Sequence, residues 1–279
     1  MVESIKIIDT FIFYNELEIL KYRLAILNEI VDYFILVEST HTFTGKPKSL
    51  VYNENKHLFS DYKDKIIHII VEDMPFIHPN INFDNKEQWK NEYHQRDAIR
   101  RGFEFIQIND KDIITLTDID EIPNPDIFSD VKSGKINIEI NCLKQYCYTF
   151  NLEQYPDFWV DPKIFTYNKF KELNIEMNLI RNHCCDAIEN GGWHLSYFGD
   201  VNYIQNKIKD FSHQELNSED VINLENLEYR LKNNKDIFNR NGNDFKRKLS
   251  VKDNVNLPIK YEIYLKNFYT SDYTSEDFK

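Results

Sequence analysis

Glycine and proline are scarce in this chain, 7 and 8 of 279 residues. That excludes collagen-like repeats, Gly-rich linkers and Pro-rich recognition segments. Basic charge is also short: 34 Lys and Arg face 46 Asp and Glu, a formal net charge of −12. So acidic a chain is not built to coat nucleic acid or an anionic membrane, and neither is expected as a partner. No apolar run approaches the roughly 20 residues of a membrane helix, so no membrane span is expected. The opening MVESIKIIDTFIF lacks the basic start and apolar core of a secretory leader. Cysteine is limited to Cys142, Cys147, Cys184 and Cys185, at spacings of five and one that do not suit a structural zinc site. They read as reduced, mostly buried thiols. The expected setting is cytoplasmic or otherwise soluble intracellular, in a reducing compartment.

Aromatics are abundant, with 20 Phe and 17 Tyr. Plentiful Ile, Asn and Lys beside them fit AT-rich codon usage; sugar-stacking surfaces are the competing reading.

Along the chain, SIKIIDTFIF at 4–13 reads as a buried strand. Leu17, Leu20, Leu24 and Leu27 then recur at helical spacing, and YFILV at 33–37 is a second buried strand. This is a β-α-β unit, the building block of parallel sheets. Further strands are predicted at 65–71, 112–117, 136–149, 163–167 and 192–198. Helices are predicted at 85–106, 202–211 and 224–232. TSDYTSEDFK at 270–279 reads as a frayed polar tail. The order predicts one α/β domain over 1–279, parallel in its first half and mixed in its second.

Ligands of open α/β sheets bind beyond the carboxyl ends of the strands. Glu38 and Asp118-Ile119-Asp120 occupy such ends and are expected to converge. Asp118 and Asp120, at i and i+2 of an extended strand, point the same way. Two such carboxylates repel unless a cation lies between them. Mn²⁺ or Mg²⁺ is the expected cofactor, because these ions join carboxylates to phosphate oxygens. The matching chemistry is departure of a nucleoside diphosphate, whose growing charge a metal neutralises. The bland alternative is that both acids cap the turn imposed by Pro123 and Pro125.

Six stretches together resemble glycosyltransferase family 17, the family of the transferases that add bisecting GlcNAc to N-glycans. They are DTFIFYNELEILKYRL at 9–24, VDYFILVESTHTFTGKPKSL at 31–50, NEYHQRDAI at 91–99, LTDIDEIPNP at 116–125, GGWHLSYFG at 191–199 and FSHQE at 211–215. The resemblance implies a GT-A-type nucleotide-diphospho-sugar transferase fold, with a mixed central sheet flanked by helices. It also implies a UDP-sugar donor, a divalent metal, an inverting mechanism and a glycan or glycoconjugate acceptor. Residues 1–125 would form the nucleotide-binding βαβ half and 126–269 the acceptor-side half.

In that arrangement Glu38, Thr42, Gly45 and Lys48 would meet the nucleoside. A carboxylate accepts from ribose hydroxyls, and glycine allows close backbone approach. Arg96 would grip the diphosphate bidentately, with Asn91 on the same helix face. Trp193 would be a platform for the sugar. His194 and His213 are the imidazoles that could join Asp118 and Asp120 on the metal. The catalytic base is expected at Asp200, at the start of a helix, with Glu121 as the other choice. Two alternative functions remain open here. One is a nucleotidyltransferase or sugar-nucleotide pyrophosphorylase, disfavoured because no Gly-rich loop follows the first strand. The other is a non-enzymatic carbohydrate-binding protein, disfavoured by the βαβ opening.

Overall fold

The computed structural model describes residues 4–240 and 248–269; the predicted polar tail at 270–279 lies outside them. The elements run β1 (Ile7–Phe13), α1 (Leu17–Leu27), β2 (Tyr33–Ser39), α2 (Val51–Asn55), β3 (Ile66–Val71), α3 (Glu87–Asp97), α4 (Ile99–Gly102) and β4 (Ile113–Asp118). There follow β5 (Glu121–Pro123), α5 (Pro125–Lys132), β6 (Ile140–Thr149), β7 (Asp157–Trp159), β8 (Lys163–Thr166), α6 (Tyr167–Leu173) and α7 (Met177–Arg181). The last are β9 (Ala187–Ser196), α8 (Val201–Asp210), α9 (Glu219–Ile222), α10 (Leu224–Lys232) and α11 (Tyr261–Tyr264). The predicted helix at 85–106 begins only at Glu87, because Lys86 takes a left-handed φ of 55°. Past Asp97 it tightens through α4 into a 3₁₀ turn.

The strands form one mixed sheet in the order β3-β2-β1-β4-β8-β6-β9-β5, with β7 paired to β6. β3, β2, β1 and β4 are mutually parallel, as expected from the βαβ opening. β8 then runs antiparallel to β4. Every residue of β1 is buried, so both of its faces need cover. Ile7, Phe11 and Phe13 pack with Leu20, Leu24 and Leu27 of α1. Ile8 and Ile12 join Ala98, Ile99, Met177 and Ile180 on the other face.

Asp9 is a charged residue inside this apolar strand. Arg23 of α1, itself fully buried, donates from Nε and Nη2 to the two Asp9 oxygens at 2.8 and 2.7 Å. The chain leaves β4 at Asp118 and turns so that β5 can pair with β9. Gly192, at φ +133°, permits that pairing: a Cβ there would lie 2.0 Å from the Ile122 carbonyl oxygen. Cys142 is buried with its Sγ 3.2 Å from that of Cys185, and all four thiols are free. Only Cys142 is buried; Cys147 and Cys185 are half-buried and Cys184 is exposed, in departure from the expectation of mostly buried thiols. Among the described residues no helix is long and apolar enough to cross a membrane.

Candidate active site

A cavity of about 540 Å³ opens where β1 and β4 end, in the range of small-ligand pockets. Its floor is the turn Asp118–Glu121, which Arg23 anchors from below. Arg23 Nη1 donates to the carbonyls of Asp118, Ile119 and Glu121 at 3.0–3.1 Å, and Nη2 donates to the Thr117 hydroxyl. Asp118 and Asp120 both line the cavity, but only Asp118 belongs to β4; Asp120 lies in the turn beyond it and not on the extended strand that the i, i+2 spacing assumed.

Each acid has a cationic neighbour. Arg96 Nη2 lies 3.1 Å from Asp118 Oδ1 and 2.7 Å from Glu92 Oε1, while Nη1 donates to Asn178. Arg181 Nη2 lies 3.3 Å from Asp118 Oδ2. Arg181 also grips both oxygens of Glu121, at 2.5 and 2.8 Å. Lys207 of α8 reaches Asp120 at 2.9 Å and Glu16 at 3.4 Å. Burial favours the neutral form of Asp120, but Lys207 and His194 outweigh it and hold this carboxyl below the ordinary range. Burial likewise opposes the charge on His194, yet Cys147, Asp120 and Glu121 raise that imidazole to about 9. Its Nε2 is 3.7 Å from Asp120 Oδ1. Among the described residues the wall carries seven carboxylates against four Lys or Arg side chains and the protonated His194, an excess of two negative charges.

Several expected ligands are placed elsewhere. Glu38 is fully buried and does not line the cavity; its oxygens accept from the backbone N–H of Tyr52 and Asn53 at the start of α2, with His68 Nε2 at 3.1 Å. It serves a helix N-terminus that has no side-chain cap of its own. Asn91 is consumed in pinning two loops: it accepts from Phe76 N and donates to the carbonyls of Phe43 and Phe76. Gly45 has the positive φ, 77°, that glycine tolerates, but its close approach is to backbone at Phe76–His78, 2.8 Å from an added Cβ. Trp193 lies in the apolar core with Nε1 donating to the Asn256 carbonyl, and offers no exposed face. Asp200 does stand at a helix start, but it is exposed, outside the cavity, and caps α8 by accepting from Tyr203 N at 2.8 Å. Glu121 does line the cavity, but Arg181 and Trp159 Nε1 occupy its oxygens, and Arg181 holds it well ionised against burial. That makes it a poor proton acceptor.

Thr42, Lys48, Arg96, His194 and His213 do line the cavity. Burial lowers the Lys48 ammonium's pKa, against the pull of Glu38 3.8 Å away. His213 packs edge-on to Trp89 and pairs with Glu215 at 2.7 Å; no contact joins it to Asp118 or Asp120. The sequence reading missed Arg23, Trp159, Asp161, Arg181 and Lys207. Asp9 was the available signal for Arg23, since a carboxylate inside an apolar strand requires a buried cation. Arg181, beyond the acidic strand by some sixty residues, gave no local sign.

The donors present suit a hard divalent ion. Asp118 and Asp120 supply two carboxylates in one acidic cavity, and such ions commonly complete their shell with water and phosphate oxygens. Among the described residues no group of three or more His, Cys, Asp and Glu is placed to hold a metal ion.

The family model described as Glycosyltransferase family 17 matches residues 2–260. No curated protein matches the sequence. A mannosyltransferase, PcManGT from Pyrobaculum calidifontis in complex with GDP-Man and Mn²⁺, is similar in structure at 10% identity and a TM-score of 0.37. That similarity covers 62% of this chain and 47% of that one, so it spans less than half the length of that protein.

Proposed function

This chain belongs to glycosyltransferase family 17, and from that premise we propose a metal-dependent, inverting transfer of GlcNAc from a UDP-sugar to a hydroxyl of a glycan or other acceptor. One observation carries the reading. Asp118 and Asp120 meet Arg96, Arg181, Lys48 and Lys207 in one cavity at the carboxyl ends of parallel strands. With His194 protonated at neutral pH, that cavity already holds an excess of two negative charges among the described residues. A diphosphate adds more, and the balance calls for a divalent cation. Mn²⁺ or Mg²⁺ held by Asp118 and Asp120 would neutralise the departing diphosphate.

The remaining work belongs to side chains. Arg96 and Arg181 are buried and fixed by their acid partners, so they reach phosphate oxygens without losing much freedom. Arg96 Nε has no partner among the described residues, which leaves donor capacity beside the site. Lys207 neutralises Asp120 while no cation is bound, and its flexible stem lets it turn to a phosphate afterwards. Thr42 and Lys48 face the nucleoside. Trp159, its ring 4.9 Å from that of His194, takes the sugar-facing role expected of Trp193. Residues 1–125 serve as the nucleotide half and 126–269 as the acceptor half.

The test is incubation with Mn²⁺ and a panel of UDP- and GDP-sugars, measuring free nucleoside diphosphate. Release of UDP from UDP-GlcNAc supports the reading. Release from another sugar nucleotide alone reassigns the donor. Release from none, with no calorimetric binding, removes it.

A further inference from the structure

Inversion needs a base facing the acceptor hydroxyl. Six of the seven carboxylates in the cavity wall are engaged. Asp118, Asp120 and Glu121 hold the cations described above. Glu16 accepts from Tyr14 N, Asn15 N and Tyr203. Glu92 pairs with Arg96 and Ser212, and Asp210 with Tyr14. The seventh, Asp161, has neither a hydrogen bond nor an ion pair to its carboxylate among the described residues, although it lines the same cavity.

Its position suits a base. Asp161 sits in the short turn between β7 and β8, in the acceptor-side half, two residues after Trp159. Trp159 reaches Glu121, and Arg181, which bridges Glu121 and Asp118, also feels the Asp161 charge. The Asp161 side chain thus flanks the cavity beside the Asp118–Glu121 floor without being locked to it. A base must be free to take a proton, and the engaged acids are not.

We propose that Asp161 is the catalytic base; this rests on the glycosyltransferase reading above. Its carboxylate takes the proton of the acceptor O–H as that oxygen forms its bond to the anomeric carbon. The bond from that carbon to the diphosphate oxygen breaks, and its electron pair leaves with UDP. Configuration inverts, and the proton passes from Asp161 to water. With water as acceptor the products are free sugar and UDP, so hydrolysis reports the same proton transfer.

The experiment uses the full chain, Mn²⁺ and UDP-GlcNAc, or whichever sugar nucleotide of the panel the wild type consumes. Asp161→Asn is expected to lower kcat for hydrolysis by about 10²–10⁴, the usual contribution of a general base. The donor KM and the calorimetric Kd for UDP should change less than threefold. The wild-type rate should fall on acidification with a single protonation, and Asp161→Asn should lose that limb. Asp161→Glu should regain part of the rate. A merely structural role would move KM or thermal stability and leave the limb in place. Asp161→Asn within threefold of wild type, or with the acid limb intact, overturns the assignment while leaving the glycosyltransferase reading standing. A wild type that neither binds nor consumes any sugar nucleotide overturns both.

Discussion

Arg23→Met is the most informative single change below the site. Arg23 makes six hydrogen bonds in a fully buried position: two to Asp9, one to Thr117, and one to each carbonyl of Asp118, Ile119 and Glu121. Methionine fills similar space but donates nothing. Removing one partner of a buried ion pair costs about 3–5 kcal/mol. Three carbonyls of the acidic turn also lose a donor, at about 1–3 kcal/mol each where water cannot enter. Relaxation of the turn offsets part of this, so we expect a net loss of about 4 kcal/mol, against a total stability of about 5–15 kcal/mol. At about 2 °C per kcal/mol for a chain this long, Tm should fall by about 8 °C. Urea unfolding followed by circular dichroism measures the loss. The double variant Asp9→Leu/Arg23→Met separates two effects. It removes both charges, so much of the stability should return. The turn still lacks its anchor, so UDP release should remain impaired. An Arg23→Met protein within 1 kcal/mol of wild type would refute the reasoning. A double variant as unstable as the single would show that the orphaned Asp9 charge is not the main cost.

Arg181→Met should destabilise by about 3–5 kcal/mol at pH 7, because Glu121 is left buried without its cation. Glu121 has a depressed pKa in the folded wild type, so its contribution is present above the ordinary carboxylate range and is lost as pH falls through the folded value. The gap between wild type and variant should therefore narrow on acidification below about pH 4; urea midpoints that differ equally at pH 7 and pH 3.5 would contradict this. Mild oxidation should join Cys142 to Cys185, whose sulfurs are 3.2 Å apart, in preference to any pair containing exposed Cys184. In the chain-entropy account a loop this long adds about 4 kcal/mol; peptide mapping that finds Cys184 bridged instead would contradict the pairing.

Much of the parallel half was legible because burial on both faces leaves a plain mark. SIKIIDTFIF and YFILV are continuous apolar runs, and DIITLT leads straight into the acidic turn. β5 and β7, three residues each, carry too little pattern to detect. Asp118 and Asp120 were legible as a strand-end pair, but β4 stops at Asp118 and it is the following turn, not strand alternation, that brings Asp120 to the cavity. The role of Glu38 was not legible, since a carboxylate at a strand end reads alike whether it meets a ligand or a buried helix start. Asp200 was read at the correct helix start, but a side chain that caps its own helix is unavailable to a substrate. Trp193 and Trp159 differ only in the sheet face they occupy, one in the core and one in the cavity. Arg181 and Lys207 reach the acids from α7 and α8, and such long-range pairing has no sequence period.

We propose that Asp118 and Asp120 hold a divalent cation against a nucleoside diphosphate. Calorimetric titration of UDP into the protein tests it most directly, run with Mn²⁺ and with excess chelator, for wild type and Asp120→Asn. Wild type is expected to bind UDP in a Mn²⁺-dependent manner, weakened at least tenfold by chelator and by the substitution, with Tm preserved in the variant. UDP binding of equal affinity with and without Mn²⁺, or unchanged in Asp120→Asn, would contradict it.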